Sequence, residues 1–399
     1  MDHGHHSLHD NFYLDDALWQ RGRNMLVFAV LVAVILGGFA WATDQARFAQ
    51  SWLVAFTFAI TIILGGTFFV MVQYLTGSAW SVTVRRFMEN IMVTIPVGLI
   101  LFVPIALSIP QLYSWTRPEI LKLPAVAAKA NYLTEQWFVI RTIIYFAVWS
   151  FFCVGIWRTS TKQDTTKSIA QMHTASRFSA PGLLAIMLVG TLATFDWTMS
   201  LDPTWYSTIF GIYNIGGGAQ AFFGIIILIC LGLQRAGVMR RAITEEHYHD
   251  LGKWMFALTV FWAYIAFSQY LLIWYANIPE ETIFFRERMV GTWKLWSGLL
   301  LFGRFVVPFL VLIRRGAKRN RPLLAGFAMW VVLMNYVDQY WLIMPNFHKQ
   351  GVSLHWMDLA ALLGVASVLS LAFWSRMRKR AIAPVGDVRF EQGLNFENV

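Results

Sequence analysis

Ten apolar runs, each about the 20 residues a helix needs to cross a bilayer core, constrain this chain more than any other feature. They occupy 24–43, 51–75, 91–112, 137–157, 181–201, 209–233, 254–276, 293–313, 322–344 and 356–375. The eighth is the weakest, because Lys294 and Arg304 interrupt it. A soluble fold has no place to bury ten such runs. Charged residues make up 14% of the 399, against about 25% in ordinary soluble domains. The reading is an all-α integral membrane protein: a polar N-terminal tail (1–23), a ten-helix membrane domain (24–375) and a C-terminal tail (376–399). The first run is long enough to span and lacks a small-residue cleavage site after it, so no signal peptide is read there.

Basic residues give the direction. The two tails and the even-numbered loops hold 22 Lys and Arg, whereas the odd-numbered loops hold 7. Both termini are therefore expected in the cytoplasm, as an even number of spans requires. The net charge of +10 then reads as loops anchored beside anionic headgroups rather than as a nucleic-acid surface. The longest external loop, 113–136, is too short for a domain and is expected to lie on the membrane or against a partner. No segment is long enough for a soluble catalytic module.

What is missing narrows the function. None of the nine histidines falls in the interior of a run, so a bis-His haem at membrane depth has no ligands. The two cysteines, Cys153 and Cys230, lie inside apolar runs, which excludes a disulfide framework, an iron–sulfur cluster and a haem-attachment motif. The chain is read as binding no redox centre of its own. His3, His5, His6 and His9 leave a metal-binding tail or a solvated tail open.

Ionisable groups inside spans are functional candidates by default. Arg304 is the deepest, about 16 Å from the start of its run at the helical rise, and needs a carboxylate, a carbonyl or water. It is either half of an ion pair locking two helices or a gate in a proton path. Asp196 and Asp338 are the natural complements. Each precedes a proline by two turns (Pro203 and Pro345), so acid and proline share a face. Spans two to five and six to nine would then be two four-helix groups, flanked by spans one and ten, with a weak internal duplication. Arg141 and Asp358 lie near the outer mouth, where snorkelling accounts for them. Ser268, Gln269 and Asn335 could hold water or bridge helices. On the inner side, Glu245-Glu246-His247-Tyr248-His249-Asp250 reads as a solvated helix start, a proton-collecting cluster or an incomplete zinc site. Gly216-Gly217-Gly218 permits close helix approach.

Three stretches carry a resemblance. They are Phe195-Asp196-Trp197-Thr198-Met199-Ser200-Leu201-Asp202-Pro203-Thr204-Trp205-Tyr206-Ser207-Thr208, His247-Tyr248-His249-Asp250-Leu251-Gly252-Lys253, and Phe261-Trp262-Ala263-Tyr264-Ile265-Ala266-Phe267-Ser268-Gln269 with Ile273-Trp274-Tyr275-Ala276-Asn277-Ile278-Pro279-Glu280-Glu281-Thr282. Together they resemble the NrfD-like (polysulfide reductase membrane subunit) family, as found in bacterial alternative complex III, a quinol:electron-acceptor oxidoreductase. The likeness extends over nearly all ten spans.

The resemblance implies paired four-helix bundles in the bacterial inner membrane. It also implies partner subunits that carry haem c and iron–sulfur clusters, and a quinol-binding membrane paralogue. It implies a part in proton translocation coupled to respiratory or photosynthetic quinol oxidation. The family's quinone-binding label maps onto no residue of this chain. The expected route enters at His247, His249 and Asp250, with Glu245 and Glu246 beside them. It passes Gln269 and Arg304 and leaves by Asp196, Asp202 or Asp338. Two rival readings stay open: a secondary transporter, which needs spans unwound around a substrate site, and a passive scaffold whose ion pairs only hold helices together.

Overall fold

A computed structural model describes residues 11–398; His3, His5, His6 and His9 lie outside them. The described residues form helices and no strands. Nine helices among them are long and apolar enough to cross a membrane. These are α1 (Asp16–Thr43), α2 (Gln45–Thr76), α3 (Val82–Ala106), α4 (Glu135–Thr166), α5 (Ile169–Trp197), α6 (Phe210–Arg235), α7 (Glu245–Ala276), α8 (Trp293–Leu312) and α10 (Trp356–Arg376). Between the last two stands α9, Arg321–Ile343, a helix of 23 residues. It is not one of the nine, because Asn335, Asp338 and Gln339 break its apolar run, and all three are buried against protein.

Helices α2 and α6 lie at the centre. They pack on each other, α2 also on α5 and α10, and α6 also on α7 and α9. The contact of α2 with α6 is backbone-close at Gly218. A Cβ there would stand 2.2 Å from the Thr61 carbonyl oxygen, so no larger residue fits. Helix α1 leans on α10, and most of its surface is bare.

Two helices are irregular for identifiable reasons. In α3 the regular stretches restart at Pro96 and Pro104, each at the head of its segment, because proline cannot donate to the preceding turn. In α8 the stretch Leu300–Val306 is π-helical and runs into Pro308. Proline leaves the Arg304 carbonyl without its usual N–H partner. The Gly303 carbonyl meanwhile accepts from Trp330 Nε1 at 2.7 Å.

Two connecting segments pack back on the protein. The 113–136 loop packs on its own chain: Tyr113 Oη donates to the Trp197 carbonyl at 2.9 Å, and Lys129 Nζ to the Pro203 carbonyl at 3.1 Å. Buried Tyr113, Trp115 and Val126 explain it, since these side chains dock rather than face lipid. The C-terminal segment also folds back. Ile382 N donates to the Phe12 carbonyl, and Ala381, Ile382 and Ala383 are buried.

Candidate functional site

The buried charges fall in two layers, one at an end of the bundle and one reaching from the other end to its middle. At the end carrying both termini, Glu89 lies between Arg85 (3.1 Å) and Arg86 (3.4 Å) and accepts from Tyr74 Oη and Ser160 Oγ. Arg85 reaches Asp387 of the C-terminal segment at 2.5 Å, and Arg86 reaches Asp164 at 2.9 Å. The apolar runs leave Arg85 and Arg86 in the connection between the second and the third. They are interior, because the amphipathic turn Val82–Met92 points its charges at protein partners. Their spacing from Glu89, three and four residues, was the available signal.

His247 is part of this layer. Its Nδ1 closes a capping box with Thr244, and its Nε2 lies 3.0 Å from the Gly393 carbonyl and 3.2 Å from Thr83 Oγ1. The helix start is therefore covered by the C-terminal segment at this residue rather than solvated. Asp250 pairs with Lys253 (2.5 Å), and His249 is 3.8 Å from Asp250. Glu246 pairs with Arg319, and Glu245 is exposed. Among the described residues no group of three or more His, Cys, Asp or Glu could hold a metal ion.

In the opposite half of the bundle stand three Arg–Asp pairs, of which that of Arg304, 11 residues into Trp293–Leu312, is the deepest. Arg304 meets Asp338 at 2.5 Å, with both side chains fully buried. Its Nη2 donates to Asn335 Oδ1 at 2.9 Å and its Nε to Gln220 Oε1 at 3.3 Å. Gln220 Nε2 in turn donates to Thr259 Oγ1. The guanidinium lies 4.4 Å from the centre of the Trp262 ring. Tyr213 Oη donates to the second Asp338 oxygen at 2.6 Å. Each lone pair and N–H of a buried pair needs such a partner, or desolvation outweighs the attraction.

Asp196 is not a counter-charge of Arg304. It takes two bonds from Arg141 (2.8 and 3.0 Å) and a third from Tyr145 Oη (2.7 Å). Arg141 and Tyr145 stand one turn apart on α4, so one helix face presents both to α5. Arg141 therefore does not snorkel; it is held by Asp196 and stacks 3.7 Å from the Tyr132 ring. Nor does Asp358, which meets Arg47 at 2.7 Å and Ser51 Oγ at 2.7 Å. Asp202 accepts from the Thr204 N–H and hydroxyl in a local turn and makes no ion pair with a described residue. Arg288, which the sequence offered only as a loop cation, is buried on the carbonyls of Phe284, Trp341 and Leu342. Burial pushes its guanidinium down to about 9.

Two cavities touch these pairs. One, about 480 Å³, lies beside Asp196 and is lined by Lys129, Tyr132, Asp202 and Tyr206. The other, about 420 Å³, is mostly aromatic and aliphatic and has Tyr213, Trp262 and Gln269 on its wall. Gln269 thus faces a cavity and does not bond Arg304; its buried Nε2 has no partner.

The structure joins Arg304 to Asp338, Gln220 and Thr259, and keeps the His247 layer apart. On α7, His249 and Thr259 are ten residues or about 15 Å apart. Phe69, Phe223 and Trp254 fill that interval, with Phe69 4.6 Å from each of the other two rings. No protein-family model matches the chain, and no curated protein matches it.

Proposed function

We propose that this chain is a ten-span subunit of a bacterial inner-membrane quinol:electron-acceptor oxidoreductase, similar to the ActF subunit of alternative complex III. Its spans two to five and six to nine form two four-helix bundles, with both termini in the cytoplasm. The chain binds no redox centre. Haem c and iron–sulfur clusters belong to partner subunits, and the quinol-binding site of the complex to a membrane paralogue. Its own part is to hold and move protons while electrons pass elsewhere.

One observation carries this reading: the Arg304–Asp338 pair, fully buried and 2.5 Å apart, in a π-helical turn. Such turns are rare and cluster at functional sites. The pair continues through Gln220 to Thr259 on one side and through Tyr213 to the 420 Å³ cavity on the other. Asp338 is the proton-holding group, because its charge depends on Arg304 and Tyr213 staying in place. The cavity also has Tyr213 on its wall, and among the described residues its aromatic and aliphatic lining is what supports quinone binding.

The direct test is Asp338→Asn in the complex reconstituted in vesicles, following protons released per quinol oxidised. Proton release falls while quinol oxidation continues; unchanged proton release removes Asp338 from the path. The scaffold reading has a specific observation in its favour, the aromatic layer of Phe69, Phe223 and Trp254 between the two charged layers. It predicts that Asp338→Asn alters assembly or heat resistance and leaves coupling intact.

A further inference from the structure

Where α1 begins and α10 ends, four arginines gather on two indoles. Trp19 and Trp374 tie the helices together, each indole N–H donating to the other residue's carbonyl at 3.3 and 3.0 Å. The helices meet so closely that a Cβ at Gly22 would stand 2.5 Å from the Trp374 ring. The guanidinium carbons of Arg23 and Arg378 are 5.2 and 4.6 Å from the Trp19 ring centre. Those of Arg376 and Arg380 are 5.3 and 4.4 Å from that of Trp157 on α4. Stacking of this kind fixes the planar groups while leaving N–H donors at their edges for an anion.

Arg23, Arg378 and Arg380 are exposed and Arg376 is half-buried. The arginines of the two charged layers have a carboxylate or a set of carbonyls. None of these four makes an ion pair with a described residue. Arg23 donates only to the neighbouring Asn24 side chain, and Arg376 Nε is buried with no partner at all. The turn that brings three of the cations together puts Lys379 at φ +52°, a left-handed backbone that a lysine rarely adopts. Burial and the nearby Arg376 and Arg86 push the Arg380 guanidinium below its ordinary range, against the pull of Asp164, a carboxylate that Arg86 already holds. The cluster is thus built at some expense in repulsion and strain.

The surface beside it is apolar. From Met25 onward, α1 exposes Phe28, Leu31, Ile35 and Phe39, each more than half exposed. Their spacing of three and four residues makes one stripe running away from the cations. An occupant must therefore carry negative charge at one end and long apolar chains at the other.

We propose that this corner is a binding site for an anionic glycerophospholipid, its phosphate held by Arg376, Arg378, Arg380 and Arg23 and its acyl chains lying along α1. Guanidinium groups suit a phosphate because they can offer two parallel N–H donors. An acidic protein segment would satisfy the cations but not the stripe, which is why lipid is the better match.

The experiment uses the full chain, purified in neutral detergent, with phosphatidylglycerol, phosphatidylcholine, inorganic phosphate and polyglutamate as separate probes. Binding is read by native mass spectrometry and by the shift of the thermal midpoint. Phosphatidylglycerol is expected to bind with at least about tenfold preference over phosphatidylcholine. The double variant Arg376→Gln/Arg380→Gln loses that preference. Arg376→Lys/Arg380→Lys, which keeps the charge, recovers part of it, so a folding defect is distinguished from a binding one. Retention of the preference in the Gln variant overturns the proposal. So does an equal thermal shift with inorganic phosphate, which would mark a free-anion site, or one with polyglutamate alone, which would mark a protein contact.

Discussion

Arg304–Asp338 and Arg141–Asp196 answer the same physical problem in different ways. Each is an arginine on one helix and an aspartate on a later helix, with a tyrosine hydroxyl on the acid. The Arg141 side chain keeps 14% of its surface, however, and the Arg304 side chain none. Arg141 and Tyr145 come from one helix, so two residues of α4 hold the acid as a local clip. The partners of Arg304 come from α6 and α9, and Trp262 of α7 covers it. Arg304–Asp338 is thus a junction of four helices, and Arg141–Asp196 joins two. A charge with water at hand can relax when its partner changes, and one enclosed by four helices cannot.

That contrast sets the order of the expected effects. Arg304→Leu leaves the buried Asp338 without its counter-charge, and should lose about 3–5 kcal/mol, the range for breaking a buried pair. Thermal unfolding of the purified chain checks it, and a loss equal to that of the Arg141 variant would erase the distinction. Arg141→Leu should be milder, about 1–3 kcal/mol, because Asp196 keeps Tyr145 and can draw water from the adjoining cavity.

The smallest effect concerns a third pair, Arg85–Asp387, whose acid lies outside the spans. Burial opposes ionisation of Asp387, but the Arg85 guanidinium overrides it and holds the carboxyl below its ordinary range. A lowered acid lends stability above its unfolded value of about 3.9, and that stability is lost as the pH falls through the lower folded value. Docking of the C-terminal segment should therefore hold from neutral pH to about 4 and loosen below it. Amide exchange over 381–395 reports this, and Asp387→Asn should remove the acid-dependent step.

Much of the fold was legible because lipid imposes a length and a composition on each helix separately. Hydropathy alone located all nine apolar helices, though α4 and α5 extend well past their apolar cores. It also singled out Arg304 and named Asp338 among its complements. Pairing between helices was not legible. Arg47 and Asp358 are 311 residues apart, and no local rule links them. Asp196 was assigned to the wrong arginine because depth along a helix says nothing about which helix lies beside it. The docking of the C-terminal segment was not legible for a related reason. Its polar sequence suits solvent, and only the buried Arg85 and His247 it covers make it part of the interior.

The π-helical turn in α8 has a consequence for the helix as a whole. It inserts one residue beyond the normal winding, so everything after it is rotated by about 100° relative to an unbroken helix. The outward side chains record the slip: Leu295 to Phe302 is a step of seven, and Phe302 to Leu310 a step of eight. A single surplus residue thus lets one short helix keep a greasy outer edge along its length while turning a cation toward the protein halfway down.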